Sequence, residues 1–250
     1  HLLRRMCECS KRLYESTVLA NAPAILLDAL HVDLHCSSAG FLSGAASALA
    51  AFVHRDGENS TSRRKQLSTL MLNIIGPEGS GLSRIIEKCV EAHLASAAVL
   101  TATLGLILEV LLKTGKTVLE TAPSLGGKLI DIVYRCLKAH PNVAEVAAVS
   151  IQVAATLVND AKTGLQLFHA GVAALVMDAF DAHSSSSAGV VHGTCKLVYL
   201  LASSRTVRQM LKSTFKGIRN NISAGFAAHC ATSRKVKKWG KDAMGKLALP

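Results

Sequence analysis

VAALVMDAFDAH, residues 172–183, places Val172, Leu175, Val176 and Phe180 at i, i+3, i+4 and i+8. That spacing is the apolar stripe of a helix with one face in a core. The stripe returns in register in LSRIIEKCVEAH (82–93), as Leu82, Ile85, Ile86 and Val90, and in LIDIVYRCLKAH (129–140), as Leu129, Ile132, Val133 and Leu137. A further copy ends at His229 and keeps Ile218, Ile222 and Phe226, with Asn221 where the others are apolar. An early copy, APAILLDALHVD (22–33), keeps Ala22, Ile25, Leu26 and Leu30 without the closing Ala-His. The closing histidines, His93, His140, His183 and His229, stand 47, 43 and 46 residues apart.

Working outward, each striped segment is followed by a longer helical pattern, at 43–54, 94–113, 143–158, 189–202 and 234–248. Short helical patterns precede them at 16–22, 116–122, 164–171 and 206–213. A unit of short, middle and long helix with a period in the mid-forties predicts stacked repeats, each burying its apolar face on its neighbours.

The repeated tag raises a chemical question. CVEAH (89–93) and CLKAH (136–140) set Cys and His four apart on one helix face, as a metal site or an activated thiol begins. AFDAH (179–183) and GFAAH (225–229) replace the cysteine with Ala179 and Gly225, which no thiolate chemistry survives and a packed helix does. The tag therefore reads as structural, with each histidine meeting free carbonyls at the negative end of its helix. HVDLH (31–35) has the spacing of two metal ligands but no third ligand or general base. GPEGSGLS (76–83) lacks the lysine of a phosphate-binding loop and reads as a turn. No cofactor, metal or catalytic motif emerges, and the chain is expected not to be an enzyme.

LFHAGVAALVMDAF followed by VVHGTCKLVYLLASS, within 167–204, resembles an armadillo repeat: a glycine before the middle helix and an Ala/Leu-rich third helix. The resemblance covers nearly the whole chain. It implies an all-α, right-handed superhelical solenoid of about five three-helix repeats, a single domain over 1–250 whose first repeat is incomplete. In that family the third helices line a concave groove that holds extended peptides or partner surfaces. By register with the Trp and Asn ladder of the family's nuclear-import receptors, this chain carries Gln152 and Thr156, Lys196 and Leu200, Asp242 and Lys246. The ladder is missing, which argues against nuclear-signal recognition. Trp239, the only tryptophan, lies in the last third helix but out of that register.

Composition agrees with closely packed helices. Half the residues are hydrophobic and only 4% are aromatic, so Ala, Leu, Val and Ile must build the core. The seven cysteines, at 7, 9, 36, 89, 136, 195 and 230, are odd in number and form no CxxC pair. They read as reduced small hydrophobes, which suggests a cytoplasmic or similarly reducing compartment. Residues 94–112 carry one charge, Glu109, and match a membrane span in length. Their fixed place in the repeat predicts instead a helix covered by its neighbours, with no membrane insertion. The chain opens on His1 without a signal-like segment and reads as part of a longer protein.

Residues 55–65, RDGENSTSRRK, interrupt the repeat and read as a surface insertion, with Arg63, Arg64 and Lys65 before Ser68 in the manner of a basophilic kinase site. HSSSSAG (183–189) reads as a flexible connection. Charge is concentrated at the end: Ser204 to Pro250 holds eleven Lys and Arg against one acid, Asp242, leaving the first 203 residues almost neutral. Such a run either keeps a terminal repeat soluble or docks something acidic.

The sequence thus points to a non-catalytic interaction scaffold that holds a protein or peptide segment, acidic in character, on its concave groove. The groove candidates are Gln152, Thr156, Lys196, Tyr199, Arg234, Lys235, Lys238, Trp239 and Lys241. At 100° per residue Arg234, Lys238 and Lys241 fall together on the last helix, with Lys235 beside them. The alternatives are a nucleic-acid-binding solenoid and a purely structural subunit of a large, for example cytoskeletal, assembly.

Overall fold

The structure, a computed structural model, describes residues 23, 25–27, 38–54, 71–114 and 117–249. The insertion at 55–65, the basic run before Ser68, Cys7, Cys9, Cys36, the HVDLH pair and most of the 22–33 copy lie outside the described residues. Among the described residues every regular element is helical. In chain order these are α1 (Ala39–His54), a helical stretch at 71–75, a 3-10 turn (Pro77–Gly79), α2 (Ser80–Ile85) and a π-helical turn (Ile86–Glu91). Then come α3 (Ala97–Thr114), α4 (Thr117–Thr121), α5 (Pro123–Ala139), α6 (Ala144–Leu157), α7 (Ala161–His169) and α8 (Val172–His183). The last four are α9 (Ala188–Leu201), α10 (Arg205–Thr214), α11 (Ile218–His229) and α12 (Arg234–Ala248).

Three sequence readings change. The turn expected over 76–83 ends at Gly79, and α2 begins at Ser80. The stripe at 82–93 is regular helix only to Ile85. Beyond it the Ala92 N–H bonds the Glu87 carbonyl five residues back, at 3.2 Å, while Ile86, Cys89 and Val90 stay buried. The connection at 183–189 is a tight turn. The Ser187 N–H bonds the His183 carbonyl at 2.9 Å, and the Ser187 hydroxyl oxygen accepts from the Val190 N–H at 3.3 Å.

The chain divides into two compact units, residues 1–128 and 129–250, with the division inside α5. In the first unit α1 packs along α3. Ala45, Ala46 and Ala48 are buried on α1 beside Leu42, Leu49 and Phe52, and these small side chains let two helices approach closely. α3 buries Leu100, Leu104, Ile107 and Leu111 among others, and each such burial is worth about 1.5–3 kcal/mol before entropy is counted. It alone among the described single helices is long and apolar enough to cross a membrane, and 56% of that window is buried inside the protein. Its one carboxylate, Glu109, lies 3.1 Å from His54 Nδ1 of α1.

In the second unit the long helices α6, α9 and α12 lie side by side with α9 between the other two. The middle helices α8 and α11 back them, α8 against α9 and α6, α11 against α12 and α9. Gly171 and Gly217 precede the two middle helices with φ of 78° and 80°, where a side chain would be strained by about 1–3 kcal/mol. At Gly171 the chain bends by 73° between α7 and α8.

The tag histidines bond across copies. His183 Nε2 donates to the Pro141 carbonyl at 2.9 Å, and His229 Nε2 donates to the Ser184 carbonyl at 2.9 Å. In both cases the acceptor follows the tag histidine of the preceding copy, His140 or His183. The sequence expectation placed these carbonyls at the end of the histidine's own helix. Packing decides otherwise, because the neighbouring turn is what stands within reach of each imidazole.

Candidate functional site

The face that gathers the most chemistry runs over α6, α9 and α12. Two glycines on α9 set it up. A Cβ on Gly189 would lie 3.2 Å from Ala148 Cβ, and one on Gly193 would lie 3.0 Å from Ile151 Cγ2 and 3.4 Å from Gln152 Cγ. α9 therefore seats closely on α6, with Val190, Val191, Thr194, Cys195, Leu197 and Val198 buried. Half-buried on α9 are His192, Lys196 and Tyr199, spaced four and three apart on one stripe, and Ser203 is exposed in the turn that follows.

On α12 the buried stripe is Val236, Gly240, Ala243 and Leu247. Lys235, Trp239, Asp242 and Lys246 form the stripe beside it that meets α9. Trp239 packs on Tyr199 with ring centroids 5.4 Å apart and planes tilted by 59°. The Lys246 ammonium lies over the Tyr199 ring at 5.6 Å, and that of Lys238 over the Trp239 ring at 5.1 Å. Arg234, Lys238 and Lys241 are exposed and share the stripe about 100° further round the helix. The expected trio thus forms one outward edge. Trp239 and Lys246 are the residues of α12 that meet Tyr199 of α9.

On the α6 side Gln152 and Thr156 are half-buried, and the Thr156 hydroxyl donates to the Gln152 carbonyl at 2.8 Å. Two members of this face were missed in the sequence. Lys246 is placed over Tyr199 by a reach of its long side chain. His192, one turn before Lys196, carries no motif to mark it.

The charges on this face repel. Burial, then Lys235, then Lys196 lower the His192 imidazole to about 4, so it is neutral at physiological pH. Burial and then Lys235 hold the Lys196 ammonium below its usual range. Glu145 stands two turns before Gln152 on α6, and Asp242 two turns beyond Lys235 on α12.

The tag cysteines take no part. Cys89, Cys136 and Cys195 are buried, and burial pushes the Cys136 and Cys195 thiols up to about 12, against a smaller lowering by Arg135 at Cys136. A thiol so raised is protonated at neutral pH and a poor nucleophile. Among the described residues no three His, Cys, Asp or Glu side chains come together as a metal set. A cleft of about 290 Å³ opens between α7, the end of α9 and α10, walled by Val158, Gly164, Leu201 and Val207. Its carboxylate, Asp160, caps α7 by accepting from the Thr163 N–H at 2.7 Å. Comparison with family models, curated proteins and solved structures finds no match to this chain.

Proposed function

We propose that the chain is an armadillo-type α-solenoid, a non-catalytic scaffold of the reducing cytoplasm that holds an acidic protein segment on its third helices. One observation carries the reading. α6, α9 and α12 lie side by side, and on α9 and α12 Lys196, Lys235 and Lys246 surround an aromatic pair, with Asp242 the single acid on that stripe of α12 and Glu145 two turns away from Gln152 on α6. Cations that outnumber acids on one face raise the cost of the unliganded face, and an arriving anion relieves that cost. The Tyr199–Trp239 pair favours a second reading, a solenoid that grips single-stranded nucleic acid, because lysines flank both rings.

The test is binding of a fluorescein-labelled glutamate-rich peptide, followed by anisotropy at rising salt. Wild-type protein should bind it, more weakly as the screening length falls below about 10 Å. Changing Arg234, Lys238 and Lys241 together to Glu should abolish binding at moderate salt. Undiminished binding by that variant would leave the basic edge a solubilising surface. A single-stranded oligonucleotide that outcompetes the peptide would favour the second reading.

A further inference from the structure

We propose that Lys196 of α9 and Lys235 of α12, flanked by His192 and Gln152, form a seat for the phosphoryl group of a phosphoserine or phosphothreonine in the bound acidic segment. This rests on the reading of the α6–α9–α12 face as the partner-binding face. The seat is composite. Tyr199 on Trp239 fixes the register of the two helices, and Lys196 and Lys235 stand one turn before those rings, three and four residues back. His192 lies one turn further back on α9, and the close seating of Gly193 brings the Gln152 side chain up from α6.

Charge selects the occupant. The Tyr199–Trp239 contact puts Lys196 and Lys235 on neighbouring helices one turn before the same ring pair, the charge of Lys235 bears on both Lys196 and His192, and Lys196 is half-buried, so it is poorly solvated by water. A single carboxylate would leave one of the two charges unmatched. A phosphorylated side chain carries about −1.5 to −2 at neutral pH and three acceptor oxygens, which match two lysines and a neutral imidazole or amide donor. The arrangement of the rings favours a peptide over nucleic acid as the bearer of the phosphoryl group. Successive bases need open aromatic faces, whereas Tyr199 and Trp239 pack on each other and Lys246 and Lys238 lie over them. An extended segment instead lays one apolar side chain along that pair while its phosphoryl group occupies the seat one turn away.

The experiment uses the whole chain and one labelled peptide of Glu, Gly and Ser in two forms, with and without a single phosphoserine, read by anisotropy. The phosphorylated form should bind about tenfold more tightly, as charge-assisted bonds to a dianion imply. Lys196→Met and Lys235→Met should each remove that advantage, and Lys196→Arg and Lys235→Arg should keep most of it. Arg219→Ala, which deletes an exposed cation of α11 outside the seat, should leave it intact. Lys235 is exposed, so its variants carry the test should Lys196→Met unfold. Equal binding of both forms overturns the seat and leaves the acidic-segment reading standing. Binding of neither form overturns both. A loss of advantage in Arg219→Ala equal to that in Lys235→Met also overturns the seat, since net charge alone would then explain it. A single-stranded oligonucleotide that binds more tightly than the phosphopeptide reassigns the lysines to nucleic acid.

Discussion

At position 225 the tag residue is glycine because Phe180 of the preceding middle helix already fills the space. A Cβ there would lie 2.5 Å from Phe180 Cζ, and Phe180 is only 1% exposed, so its ring has little room to retreat. Alanine would gain up to about 1 kcal/mol of helix propensity over glycine, and overpacking takes back about 1–3 kcal/mol. Gly225→Ala should therefore lower the urea midpoint, and a raised midpoint would show the ring free to move. The glycine of the last tag is thus set by the space that Phe180 leaves. His192 gives the pH counterpart. Its native value of about 4 lies below its ordinary 6.5, so between those pH values the unfolded chain binds a proton that the native chain refuses. Stability from this group is complete above pH 6.5 and is lost as the pH falls toward 4. His192→Gln should flatten the pH dependence of urea stability across that window. An unaltered profile would mean that His192 is solvated and plays no part in the repulsion.

The long helices begin on serine. Ser187 accepts from the Val190 N–H at the start of α9, and Ser233 accepts from the Val236 N–H at the start of α12, both at 3.3 Å. α6 is the exception, starting at Val143 without a side-chain cap, while α1 and α3 share the device, Ser38 accepting from the Phe41 N–H at 3.3 Å and Ser96 from the Val99 N–H at 3.5 Å. Replacing an N-cap serine by alanine costs about 1 kcal/mol. Ser233→Ala should speed amide exchange in the first turn of α12 and lower stability by that order, while Ser233→Asp should restore protection. Unchanged exchange in Ser233→Ala would place the control of that end in packing, through Val236 and Gly240, instead of the cap. The end of α9 is held differently: the buried Arg208 donates from Nη1 to the Ala202 carbonyl at 2.9 Å. One of the eleven terminal cations is thereby structural, which composition alone does not reveal.

Across the whole chain the net charge of +11 resides almost entirely after residue 203. The cations there do different work. Arg208 is buried, Lys212 donates to the Leu249 carbonyl, Lys238 and Lys246 cover rings, and Lys235 faces Lys196. Arg234, Lys238 and Lys241 are exposed, and changing them to Glu removes only the contact of Lys238 with the Trp239 ring, so the melting temperature should fall little while binding is lost. A fall of several degrees alongside the loss would mean that the variant reports on folding instead of binding.

Helix order, type and several boundaries were legible in the sequence: 172–183, 218–229 and 234–248 form helices over the residues their periodicity and their Gly and Ser punctuation mark. That information is local, set by spacing along one chain and by the positive φ that glycine adopts without strain. The basic end and most of the candidate face could be named for the same reason. Tertiary structure alone decided which stripe of α12 meets α9, and so brought Lys235 and Trp239 to Lys196 and Tyr199 while turning Arg234, Lys238 and Lys241 outward. It also decided the π-helical turn at Ile86–Glu91 and the His183–Pro141 and His229–Ser184 bonds. Helical periodicity shows which residues share a face. Which neighbour that face meets depends on close packing between segments some forty residues apart, where a glycine against a phenylalanine ring sets the spacing.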